Sequence, residues 1–225
     1  MATSLDKSKQ MDWAGLAGKI KDIDASGGIT AATLDVTTPS VGGTAITSTA
    51  AELNKLDDSV TVFSRGAGVD TAESYATGYL RNGTLVTTNI VVDISTLVGS
   101  TTDLDIIGES AAASCHFGQI TTAKCGTLIG GSVTCLELPA GGVTDIDFYS
   151  STVSTGTENV IITDAALGTE TALVTAGGVW TSGAVKGMTA LPTANDYLYI
   201  VNGAAGVPGT FTAGKFLITL YGYVA

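Results

Sequence analysis

Charge is scarce in this chain. Ten Lys and Arg and 21 Asp and Glu make up 14% of its 225 residues, where an ordinary soluble domain carries roughly 25%. A folded monomer of 22.6 kDa exposes on the order of 9,500 Å², so there is about one charge per 300 Å². Cover that thin is expected to mean that Thr and Ser supply the surface polarity, or that partner chains hide much of the surface. Basic residues are the scarcer sign: a net charge of −11 and a pI near 4.2 oppose the phosphate attraction a nucleic-acid binder needs. No run approaches 18 apolar residues, and the first seven lead into a polar stretch without a signal-peptide core. Neither a membrane span nor secretion is expected, and the chain is expected to assemble where it is made. Three cysteines do not support a disulfide framework in such a chain. What is plentiful is small or apolar: 29 Gly, 44% hydrophobic residues and a mean hydropathy of +0.36, which exclude wholesale disorder. The length bounds the chain to one domain, or one domain with an appendage.

Three textures follow one another. Over residues 10–25, Trp13, Leu16, Ile20 and Ile23 recur at spacings of three and four, predicting a short amphipathic helix. Its stripe either packs on this protein's own core or docks on a larger surface. Residues 27–43 are rich in Gly, Thr and Ala, with alternating pieces too short to bury a face. Over residues 46–57, Thr49 followed by Glu52 has capping-box spacing and predicts about two helical turns. Leu53 and Leu56 share one face of those turns, and so short a helix needs neighbours to bury it; copies around a three-fold axis would do so.

The string T-S-T-A-A-E-L-N-K-L-D at residues 47–57, preceded by G-G-T-A-I, resembles the T-A-T-A-A-E-L-N-x-L-D-G element of tail fibres, head fibres and other virion structural proteins of tailed bacteriophages. Ser48 replaces Ala, and Asp58 replaces Gly. A looser but longer resemblance links the last third to the C-terminal domains of marine-phage structural proteins. It runs through C-L-E-L-P-A-G-G at 135–142, N-D-Y-L-Y at 195–199, A-G-K-F-L-I at 213–218 and L-Y-G-Y at 220–223.

From Leu85 onward, β-branched and aromatic runs alternate with turn clusters. Strands are predicted over residues 85–94, 103–108, 115–121, 127–138, 145–150, 159–164, 171–175, 197–202 and 215–223. The expected architecture is a mainly β, two-sheet antiparallel sandwich of jelly-roll type with a short N-terminal helical docking and trimerisation segment. The divisions are 1–60 for that segment, 61–84 for a linker and 85–225 for the sandwich. In the last strand Phe216, Ile218 and Leu220 take one face, and Leu217, Thr219 and Tyr221 the other. Both faces are substantially apolar, which places the strand centrally or against a neighbouring subunit.

Candidate chemistry is sparse. His116 is the only histidine, so any Ser-His-Asp or Cys-His site would have to use it; on a strand its neighbour Cys115 points the other way. Cys115, Cys125 and Cys135 stand ten apart and lack the close C-x₂₋₄-C pair of structural zinc sites, so they read as free buried thiols. Asp22/Asp24, Asp103/Asp105 and Asp145/Asp147 each put two carboxylates at i and i+2, and on a strand such a pair shares one face about 7 Å apart. That spacing is compatible with a hard cation or paired-acid hydrolysis, but the apolar residues between them fit an ordinary strand with an acidic wet side. Residues 209–216 nearly spell a phosphate-binding loop, yet Phe216 stands where the hydroxyl belongs and a strand follows instead of a helix. Asn82-Gly83-Thr84 reads as a turn.

No catalytic residue, cofactor or metal is therefore expected. The resemblance implies a non-enzymatic virion protein of a tailed phage, present as a homotrimer and assembled in the host bacterial cytoplasm. A complete chain of 225 residues beginning at Met1 is short for a tail fibre. The expectation is a decoration, cement or head-fibre protein on the capsid surface that binds the major capsid protein. In it Trp13, Leu16, Ile20 and Ile23 dock, and Leu53 and Leu56 line the trimer interface. Alternatives are a short tail fibre or adaptor contacting tail or baseplate proteins with a receptor-binding sandwich, and a glycan depolymerase. The depolymerase would need acids converging in an aromatic-lined cleft.

Overall fold

The computed structural model describes residues 40–41, 44–45, 63–70 and 76–224. The chain divides into two compact units, Met1–Ser48 and Thr49–Ala225. In the first, β1 (Ser40–Val41) pairs antiparallel with β2 (Thr44–Ala45).

The second unit is built from open antiparallel sheets. The larger contains β3 (Ala76–Asn82), β4 (Leu85–Asp93), β6 (Thr127–Ala140), β9 (Val185–Gly187) and β12 (Ala213–Tyr223), in the order β3-β4-β12-β6-β9. The smaller contains β7 (Ile146–Ser151), β8 (Glu170–Val174) and β10 (Tyr197–Asn202), in the order β10-β7-β8. A short pair joins β5 (Val98–Gly99) to β11 (Gly209–Thr210). Alternation drives the large sheet: Val86, Ile90 and Val92 of β4 and Phe216, Ile218 and Leu220 of β12 are buried, while Leu85 and Tyr221, of the opposite parity, stay exposed. Phe148 of β7 meets Phe216 of β12 edge-on at 5.2 Å, and Trp180, in the loop after β8, meets Phe216 at 5.4 Å. The core thus lies where the two sheets touch. The Trp180 indole also donates to Ile146 O at 2.8 Å, satisfying the polar end of a buried aromatic.

The expected jelly-roll sandwich with a helical docking segment is corrected by this arrangement. The sheets are unclosed, and among the described residues no helix reaches seven residues; the α-helix α1 (Thr122–Cys125) has four. The segments 103–108, 115–121 and 159–164, read as strands, contribute single bridges at Asp105, Ile106, Gly108, Gln119 and Ile161. Leu104, Ser114 and Asn159 have φ of 66°, 62° and 62°, left-handed conformations that break an extended run. The first two instead line the free edge of β10, where Ile107 N donates to Ile200 O at 3.0 Å and Phe117 N to Leu198 O at 2.8 Å, and 159–164 pairs with the first of them, Ile162 N donating to Leu104 O at 2.9 Å. The stretch 61–84, read as a linker, contains β3, which forms a hairpin with β4 through Gly83 and Thr84; Gly83 has φ of 64°. The helices read at residues 10–25 and 46–57 lie outside the described residues.

Candidate functional site

The histidine, the cysteines and the described acids that sequence singled out for chemistry are mostly buried in the fold. His116 is buried, its Nδ1 has no hydrogen-bond partner, and its ring stands edge-on to Tyr197 at 4.8 Å. Burial pushes its pKa down, so it is a neutral packing residue near pH 7. Cys115, Cys125 and Cys135 are free and buried. Burial raises all three thiols, Cys115 to about 11, which removes the thiolate that reactivity needs.

The acid pairs behave differently from the expected wet strand faces. Asp103 is exposed, whereas Asp105 is buried and accepts from the Ser100 hydroxyl. The left-handed Leu104 between them separates the pair. Asp145 and Asp147 do converge: a Cβ placed on Gly203 would lie 2.7 Å from one carboxylate and 2.8 Å from the other. Asp147 is buried in β7, a strand covered on both faces, and accepts from Ala176 N at 2.5 Å. Burial is the largest cause raising both carboxyls; the charge of Asp103 adds to it on both, and that of Asp145 on Asp147. Asp145 Oδ1 is buried without a partner. Among the described residues, no three His, Cys, Asp or Glu side chains gather as metal ligands; Asp22 and Asp24 lie outside them. Where the sequence nearly spells a phosphate-binding loop, β11 leads directly into β12, and Lys215 is paired with Asp93 at 3.1 Å.

A small cleft of about 230 Å³ lies beside α1, lined by Ile120, Thr121, Thr127, Leu128, Leu191 and Pro192 among others. It is below the usual range for ligand sites, and its lining offers no charge and no aromatic ring.

The feature that remains is a surface. On the large sheet, Phe216 pairs with Val92 and Cys135, all buried, while the alternate positions open outward. Leu217 pairs with Val91 and Thr134, Tyr221 with Thr87 and Gly130, and Tyr223 with Leu85 and Thr127. Leu85, Tyr221 and Tyr223 are 55%, 44% and 42% exposed. Two irregularities of register in β6 add exposed Leu136 and Ile129 near either end. In the middle, Thr219 Oγ1 donates to Asn89 Oδ1 at 3.0 Å, so these polar groups are satisfied within the sheet. Alternation along β12 made Leu217, Tyr221 and Tyr223 of this face readable; that β4 and β6 surround them mostly with uncharged polar residues, Thr87, Asn89, Thr127, Ser132 and Thr134, depends on register, which sequence does not display.

Trp13, Leu16, Ile20, Ile23, Leu53 and Leu56, the expected docking and trimer residues, lie outside the described residues. Compared with protein-family models, curated proteins and solved structures, the chain matches none.

Proposed function

We propose that the chain is a non-enzymatic structural protein of a tailed-phage virion, a homotrimer that decorates the capsid surface by binding the major capsid protein lattice. The observation that carries this reading is the T-S-T-A-A-E-L-N-K-L-D element at residues 47–57, whose likeness is to virion structural proteins. Two features of the fold support it. Several buried acids are engaged internally: Asp196, for example, accepts from Ser150 Oγ at 3.0 Å and Thr193 N at 2.8 Å. The largest apolar feature described above is a sheet face, the shape of an assembly contact and not of a substrate cleft. The acid-rich remainder, 13 acidic against 5 basic residues after position 60, would keep decorated particles mutually repelling.

The test is to add purified protein to capsids that lack it and image them by cryo-electron microscopy. Density on the lattice at local three-fold positions is the expected result. A bare lattice with density at the tail would replace this reading with a short tail fibre or adaptor, and no bound density would overturn a virion role on these particles.

A further inference from the structure

We infer that the open face of the five-stranded sheet is buried against another copy of this chain. The number of copies rests on the homotrimer proposed above; the face itself rests on three observations.

The first is charge. After position 60 the chain carries 13 acidic and 5 basic residues, so two copies repel wherever ordinary surface meets ordinary surface. The open face is cleared of that charge. The ionic groups that the register of β4, β12 and β6 places on it are Asp93, Lys215 and Glu137, all at one end, and Asp93 and Lys215 neutralise each other at 3.1 Å. A face meant for a basic partner would keep some of this chain's abundant carboxylates. A face meant for an equally acidic copy must lose them, because like charges brought together at an interface are costly.

The second is extent. The four longer strands have seven, nine, eleven and fourteen residues. At about 4.8 Å between strands and about 3.3 Å per residue, the face covers on the order of 600 Å² in projection. Side-chain relief adds to this, which brings it near the roughly 800 Å² per partner of a standard stable interface.

The third is chemistry. Exposed Tyr221 and Tyr223 stand beside Leu85, and tyrosine is enriched among the residues that anchor interfaces. The Thr219–Asn89 hydrogen bond already pairs that hydroxyl and that amide oxygen at the centre of the face, so covering those two groups strands little. The face therefore combines aromatic anchors, uncharged small polar residues and almost no net charge.

The experiment is sedimentation equilibrium of the full chain over about 1–100 µM, bracketing the micromolar affinities at which such an interface becomes measurable. It compares wild type with a Leu85→Lys/Tyr221→Lys double variant and with Val207→Lys, which changes an 80% exposed loop residue away from the sheets. Wild type and Val207→Lys are expected at a multiple of the 22.6 kDa chain mass. The double variant is expected at one chain mass with an unchanged circular dichroism spectrum, its self-association weakened by about 100-fold or more. Tyr223→Lys, at the end of β12, supplies the same readout if the double variant does not fold. Wild type at one chain mass throughout, as when residues 1–62 of the same chain cover the face, overturns the inference. So does a folded double variant that keeps the wild-type mass. A two-chain mass lost in the variant supports the face and overturns the three-fold reading. A single-chain wild type that still binds capsids overturns this inference and leaves capsid decoration standing.

Discussion

The two principal sheets of the second unit solve the same problem in opposite ways. In the smaller sheet every residue of β7 is buried, and the edge of β10 is occupied by the irregular segments around Ile107 and Phe117. Its edge strand β10, Tyr197–Asn202, reads as a near-continuous apolar run, the pattern of a strand covered on both faces. The larger sheet alternates: one face is buried, and among the described residues the other leaves Leu85, Tyr221 and Tyr223 exposed. A sheet enclosed by its own chain needs nothing further, whereas the nearly uncharged outer face of the larger one is where we infer a second copy.

The sharpest way to break this comparison is on a single strand, where Phe216 and Tyr221 belong to opposite faces. Phe216→Ala removes the ring that Phe148 and Trp180 both touch, and should cost about 3–5 kcal/mol of unfolding free energy. The urea midpoint should fall accordingly, and the two sheets should unfold together, since that contact joins them. Next in size is Gly222→Ala. Gly222 lies on the inward side of β12, where a Cβ would overlap Cys125 O. Relief requires α1 or the strand to move, at about 1–3 kcal/mol, again read as a urea midpoint.

Acid titration should separate the sheets by sign. In the large sheet, burial pushes the Asp93 carboxyl up, but hydrogen bonds from Ser95 and Lys215 outweigh it and hold the group below its ordinary 3.8. Its contribution is therefore present above pH 3.8 and lost as pH falls through the lower, folded value. In the small sheet, Asp145 and Asp147 are raised above 3.8. Their protonation favours the fold, so stability declines as pH rises from 3.8 through their folded values. Asp145→Asn/Asp147→Asn should abolish that decline and leave the acid-side loss, while Lys215→Met should weaken the acid-side loss alone. Urea midpoints measured across about pH 3 to 7 check both; equal effects of the two variants on both limbs would erase the distinction. The smallest effect is that of Tyr221→Ala, which should change the unfolding free energy of the dissociated chain by no more than about 0.5 kcal/mol. A loss comparable to that of Phe216→Ala would mean that the outer face is structural.

Legibility in the sequence followed this same division. The long alternating strands β4, β6 and β12 announce themselves, as do β7, β8 and β10 as compact apolar runs, with ends displaced by at most about two residues. The segments 103–108, 115–121 and 159–164 carry equally good strand composition, yet tertiary pairing, of the first two with β10 and of the third with 103–108, and the left-handed residues Leu104, Ser114 and Asn159 in or beside them leave them as bridged loops. That choice is made by context and leaves no local signal. β3 was hidden for the opposite reason: the sequence of Ala76–Asn82 has Gly and Arg where a strand signal should be, and pairing with β4 supplies what its own composition does not. At the chemical level, the free buried cysteines were legible from their spacing. The burial of Asp147 was not, because alternation predicts a wet side for a strand that here has none.

The contrast between an enclosed and an open sheet is tested most directly by tyrosine-selective chemical labelling read by mass spectrometry, at protein concentrations below and above self-association. Tyr149 and Tyr199, buried in the small sheet, should stay unlabelled at both. Tyr221 and Tyr223 should label readily when the chain is dilute and become protected when it is concentrated. Equal labelling of Tyr221 and Tyr223 at every concentration would contradict the account, because the open face would then have no second copy to cover it.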